Sequence, residues 1–159
     1  EDAKILGEYL DEDFFMYKED VDLSWRFLLL GWKNLYYPGA IAYHGRGTGV
    51  QRRFFNKEIL EHRSKLSKFQ KQYSLKNQHL MEKKNELWPN FFVDFFPIIF
   101  RKIAMFVYIT FREPYLWSSY FAYLKQLPKA LKKRKEIMKR RKISAKEMCK
   151  WFKKQSRYV

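Results

Sequence analysis

The sequence predicts a mixed chain, with an α/β front that belongs to a sheet domain and a mainly helical rear, so that helix far outweighs a few short strands. Three observations predict it. Residues 19–31 carry a helix start, body and stop in order. Two short β-prone runs follow, NLYYP at 34–38 and AIAYH at 40–44. Behind them the composition turns polar and basic, then aromatic from Trp88, then strongly basic from Lys125, without further strand signals.

The front helix is the best defined element. Glu19 and Asp20 put carboxylates where the first turn exposes unpaired N–H groups, and Asp22 and Arg26 are spaced for a favourable i,i+4 pair. Leu23, Phe27 and Leu30 share one apolar face, and Gly31 suits a C-terminal stop. The predicted helix therefore runs from near Asp20 to Leu30. The two β-prone runs are separated by Pro38 and Gly39, which mark a turn, and they lead into the glycine-rich loop HGRGTG. Apolar residues in 51–86 are irregularly spaced (Leu60, Leu66, Phe69, Tyr73, Leu80), which fits a polar helical connector. Pro89, Pro97 and Pro114 mark helix starts or kinks in the aromatic region. Three stretches result: 1–50 with the acidic segment, a connector at 51–86, and an aromatic and basic helical region at 87–159. The chain opens at Glu1 without an initiator Met, directly in organised sequence, so it reads as part of a longer protein. Residues 1–20 show no signal-peptide pattern.

Charge is divided unevenly. The net charge is +16, yet residues 1–50 hold nine acids against five Lys and Arg, whereas 125–159 hold 15 basic residues against two acidic. An acidic front suits cations or hydroxyl groups; a basic, aromatic-rich rear suits a polyanionic surface. The apolar stretch at 88–111 does not read as a membrane span. Asp94, Arg101 and Lys102 fall near its middle, at about 2.5 to 3.5 kcal/mol each on insertion scales. Helices lying in the membrane interface fit better, with Trp88, Trp117, Tyr115, Tyr120 and Tyr123 at headgroup level and the basic tail on anionic headgroups. Packing of the same aromatics into a helical core is the competing reading. A single cysteine, Cys149, excludes an internal disulfide and a cysteine-based zinc site.

The chemistry is expected at the front. A carboxylate at a helix N-terminus, solvated by local N–H groups, can accept a proton from a substrate hydroxyl. Glu19 and Asp20 are the candidates, and simple helix capping is the alternative. Asp22 and Arg26 are candidate substrate contacts, although an intrahelical pair that orients the helix accounts for them as well. Gly45, Gly47 and Gly49 lack dinucleotide-fingerprint spacing and read as a loop that could close over a ligand. His62 and His79 carry no assigned role.

Residues 11–48, DEDFFMYKEDVDLSWRFLLLGWKNLYYPGAIAYHGRGT, resemble the end of the catalytic domain in family 2 glycosyltransferases, particularly the bacterial rhamnosyltransferase-like branch. The shared pattern is FF-x-Y, then ED followed by D-L-x-x-R, a G-W turn, an aromatic-Pro strand and a Y-H ending. The segments KNQHLMEKKN at 76–85 and LPKALKKRKEIMKRRKIS at 127–144 are more loosely similar to the helical tails of that branch. The resemblance implies the C-terminal portion of a GT-A fold, an α/β nucleotide-binding sandwich, followed by a membrane-associated helical region. It implies transfer of a sugar from a nucleotide-diphosphate donor to a glycan or lipid-linked acceptor with inversion, at the cytoplasmic face of the cell membrane, in polysaccharide or cell-envelope glycan assembly. It also implies that Asp20 is the catalytic base and Glu19 its acceptor-contacting neighbour. His44 matches a position that reaches metal and diphosphate, with a strand-closing histidine as the alternative, and Arg46 matches a phosphate contact. A divalent cation, Mg or Mn, would be bound mainly by residues outside this sequence, since the donor pocket and the D-x-D metal motif are absent from it. The DED at 11–13 lies too close to Glu19 for that role. By itself the segment is expected to be inactive.

Two other readings compete. A nucleic-acid-binding module fits the charge and the aromatic content, but no RNP-like strand, zinc-knuckle spacing or helix-turn-helix pattern is present, so no nucleic acid is expected. A membrane-binding helical module without catalysis fits the rear alone. A metal-dependent hydrolase using Asp20, Asp22 and His44 lacks a closed ligand set.

Overall fold

The computed structural model describes residues 4, 5, 7–41, 43 and 63–154. Six helices appear among them: α1 Glu19–Leu29, α2 Lys68–Asn85, α3 Trp88–Val93, α4 Phe95–Arg112, α5 Trp117–Arg140 and α6 Ala145–Lys154. Short 3-10 turns precede α1 at Glu12–Phe14 and α5 at Pro114–Leu116.

Local chemistry explains most of the ends. Gly31 adopts φ +86 just past α1, where a residue with a Cβ would be strained. Ser67 and Gln70 form a reciprocal capping box at the start of α2, and Ser144 and Glu147 repeat the device before α6. Pro89 and Pro114 occupy the first turns of their helices, where no N–H is missed.

The expected α/β architecture is corrected. Among the described residues there is no strand, only an isolated antiparallel bridge between Ile5 and Glu8, and the body is a bundle of helices. The GT-A sandwich implied by the resemblance is overturned with it. Residues 34–38 are irregular, as are the described positions of 40–44, and Tyr36 and Tyr43 are almost wholly exposed. A β-prone run becomes a strand only where a neighbour pairs its backbone and covers one face, and an isolated hairpin is marginal in water. No such neighbour exists among the described residues.

α2 and α5 form the most extensive packed pair. They run parallel, because Gln72 meets Ser118 near their starts and Arg134 donates to the Lys83 and Lys84 carbonyls near their ends. α4 returns antiparallel beside them, with Lys102 on Glu82 at 2.6 Å and Glu113 on Lys71 at 2.7 Å. Two small apolar clusters result. Phe14, Leu80, Met81 and Ala130 make one, and Ile5, Leu28, Leu29, Leu87, Ile137 and Met148 make the other, with Trp25 touching both. The front, the expected connector and the aromatic region therefore share their cores.

Around these clusters lies a buried ion network. Lys133 donates to Glu8, Asp11 and Asp13 at 2.7, 2.6 and 2.8 Å. Lys84 bridges Asp11 and Asp22, and Asp22 also takes Arg26 at 3.0 Å and Asn85 at 2.7 Å. Lys84, Lys133, Asp22 and Arg26 are all almost fully buried. Burial alone would raise the Asp11 pKa, but the Lys84 charge and the hydrogen bonds from Lys133 and Lys84 outweigh it and bring the carboxyl from 3.8 down to about 2. A carboxyl depressed in the folded state stabilises the fold above its unfolded pKa and loses that contribution as pH falls through the folded one. We expect wild type to exceed Asp11→Asn in urea-unfolding stability above pH 3.8, and the difference to narrow as pH drops towards about 2. The part that disappears should be on the order of 2 kcal/mol.

Candidate functional site

Glu19 and Asp20 begin α1, and the backbone that delivers them is unusual. Phe15, Tyr17 and Lys18 have φ of 60, 67 and 73, positive values that L side chains rarely adopt. Each such residue costs on the order of 1 kcal/mol and persists only where its surroundings fix it. The fixing group is Asn77 of α2. Its fully buried amide Nδ2 donates to the carbonyls of Phe14, Met16 and Tyr17 at 2.9, 2.7 and 2.8 Å, two hydrogens shared among three acceptors. Lys76 adds a bond from its Nζ to the Asp13 carbonyl at 2.7 Å.

The three acids of the first turn take different roles. Asp22 turns inward and forms the i,i+4 pair with Arg26 inside the ion network, where neither side chain meets solvent. As candidate substrate contacts, both are engaged with protein: Arg26 also donates to the Tyr9 carbonyl. Asp20 is exposed, and its Oδ1 accepts the Val21 N–H at 2.8 Å. Glu19 is half-buried, and its Oε2 is closed off from solvent without a hydrogen-bond donor. The mouth of α1 thus presents one open carboxylate beside one enclosed, unsatisfied acceptor. His44 and Arg46 lie outside the described residues.

A divalent cation, implied by the resemblance, finds no ligand set here. Among the described residues no group of three or more His, Cys, Asp or Glu could hold a metal ion. The acids that do cluster, Glu8, Asp11 and Asp13, have the Lys133 ammonium at their centre. Asp20 and Glu19 can accept a proton or a hydrogen bond from a hydroxyl.

Sequence reasoning missed Asn77, Lys84 and Lys133. The first two carried a signal: Asn77 and Lys84 fall in helical phase with Leu80 and Met81, so polar groups occupy the inward stripe of α2. Lys133 sits in a run of basic residues, where nothing local separates it from its solvated neighbours.

No protein-family model matches the chain, and no curated protein or solved structure matches it either.

Replacing Asn77 with Ala should leave three carbonyls short of a donor and release the strained turn. The expected loss is about 3 kcal/mol in chemical denaturation. Asn77→Asp should cost at least as much, because a carboxylate cannot donate to a carbonyl. A loss below about 1 kcal/mol for both would show that the turn holds itself.

Proposed function

We propose that the chain supplies the acceptor-activating segment of an inverting glycosyltransferase and that it works at an anionic membrane surface. The observation that carries the reading is the mouth of α1, where a strained turn gripped by Asn77 presents an exposed Asp20 beside a Glu19 oxygen that lacks a donor. Strain of this kind clusters where a fold holds reactive groups in a required position. The resemblance of residues 11–48 to family 2 glycosyltransferases supports the same assignment, although the described residues carry no sheet.

In this reading an acceptor hydroxyl donates its proton to Asp20 as its oxygen forms a bond to the anomeric carbon of a nucleotide-diphosphate sugar. The carbon–phosphate-oxygen bond breaks, the nucleoside diphosphate leaves with the electron pair, and single displacement inverts the centre. Glu19 accepts a hydrogen bond from a neighbouring hydroxyl of the acceptor, which satisfies its enclosed oxygen. Donor binding is assigned to sequence beyond these residues.

The membrane part of the proposal is supported by α4. Phe96, Phe100, Ile103, Val107 and Phe111 follow one another at helical spacing along its outer side, all exposed, with Phe96 at 82%. A row of that size on a helix flanked by Arg101, Lys102 and Arg112 suits insertion into the headgroup region. No helix among the described residues is long and apolar enough to cross a membrane.

A second reading, a membrane-binding helical module without catalysis, is favoured by this same face. One experiment separates the two. In the whole enzyme assayed on anionic vesicles, Asp20→Asn should cut sugar transfer by about 100- to 10,000-fold while donor affinity and salt-reversible vesicle sedimentation stay unchanged. Undiminished transfer by Asp20→Asn rejects the base assignment and leaves the membrane module standing.

A further inference from the structure

The antiparallel return of α4 beside α2 and α5 leaves a groove of about 800 Å³. Its apolar side is formed by Trp88, Phe91, Ile98, Leu127 and Leu131, and its polar side holds four cationic side chains against two carboxylates. These charges are not equivalent. Lys102 is paired with Glu82. Lys83 and Arg134 both lie over the Trp88 ring, at 5.5 and 5.9 Å from its centroid, with Arg134 Nη1 also donating to the Lys83 and Lys84 carbonyls, and so place positive charge where the aromatic wall begins. Arg101 is exposed on the α4 side.

Glu86 is the carboxylate that could compete for these cations. Burial raises its pKa, with the hydrogen bond from the Leu87 N–H and the Arg134 charge working the other way. The wall also holds polar atoms that lack partners: the Trp25 indole N–H and His79 Nε2 make no hydrogen bond. Burial and the Lys102 charge lower the His79 pKa, with the Glu82 charge working the other way. A closed apolar core would not carry this surplus of cations, and a site for a small anion would not need a wall of Phe, Ile and Leu.

We propose that this groove binds an anionic amphiphile, a phosphate monoester on a long hydrocarbon chain, with the phosphate at Lys83 and Arg134 beside Trp88 and the chain along Phe91, Ile98 and Leu131. The assignment stands whether or not Asp20 is a base. It also differs from docking of the outer face of α4, because the groove takes one molecule and needs no bilayer. A groove that opens beneath a helix with an apolar outer side is placed to receive a lipid from the surface on which that helix lies.

The test uses the 159-residue chain and decyl phosphate below its micelle concentration, without vesicles. Calorimetry should give one-to-one binding, and the indole N–H signals of Trp88 and Trp25 should shift while that of Trp32, outside the groove, stays in place. Lys83→Gln should weaken decyl phosphate binding about tenfold, the loss of one charge-assisted contact. Leu131→Asn should weaken it as well, while inorganic phosphate and decanol should each bind at least about tenfold more weakly than decyl phosphate. Equal binding of decanol would make the groove a seat for a purely apolar segment, and equal binding of inorganic phosphate would make it a simple anion site. Either result overturns the proposal, as does unchanged affinity in Lys83→Gln with its helical circular dichroism intact.

Discussion

The two buried lysines, Lys84 and Lys133, are the constraint on which the rest of the fold depends. An ammonium taken out of water costs several kcal/mol unless its partners are close and complete. Here they are: Lys133 meets three carboxylates within 2.8 Å, and Lys84 meets Asp11, which it shares with Lys133, and Asp22. Those acids all come from residues 8–22, and the lysines come from α2 and α5. The network therefore ties the acidic front to the helical pair, alongside the two small apolar clusters. Charged groups satisfied only in one arrangement penalise every other register, whereas apolar contacts tolerate sliding.

That placement determines what the front can do. Once Asp22 and Arg26 are drawn into the network, α1 has one allowed rotation, and Asp20 is left on the open side. Asn77 then holds the entering turn in a backbone shape it would not adopt alone. On α4 only Ile109 is buried, and the groove behind its exposed row reaches α1 through Trp25. α2 links front and groove, supplying Asn77 and Lys84 to the front and Lys83 to the groove, with Glu86 just past its end.

Much of α1 was legible in the sequence, because its signals are local. Acids in the first turn, the Asp22–Arg26 spacing and Gly31 at positive φ each act within a few residues. Its buried side was not. Leu23 and Phe27 are only half-buried, while Asp22 and Arg26 occupy the interior, because Lys84 and Asn85 make that polar side the one that fits. The described β-prone residues of 34–44 form no strand for a related reason: propensity describes what a segment would do beside a partner strand, and the described residues offer none. Asn77 and Lys133 owe their roles to groups 60 or more residues away in sequence, a distance over which neither periodicity nor spacing carries information. The exposed row on α4, by contrast, follows from residue type and helical repeat.

The most direct measurement of this account is a double-mutant cycle between Asp22 and Lys84, using Asp22→Asn, Lys84→Met and the pair, with stability taken from urea unfolding. If the buried network sets the position of α1, the two changes should be strongly non-additive, with a coupling of about 2 kcal/mol or more. Additivity to within about 0.5 kcal/mol would mean that the two side chains do not hold each other, and that the acidic front is placed by something else.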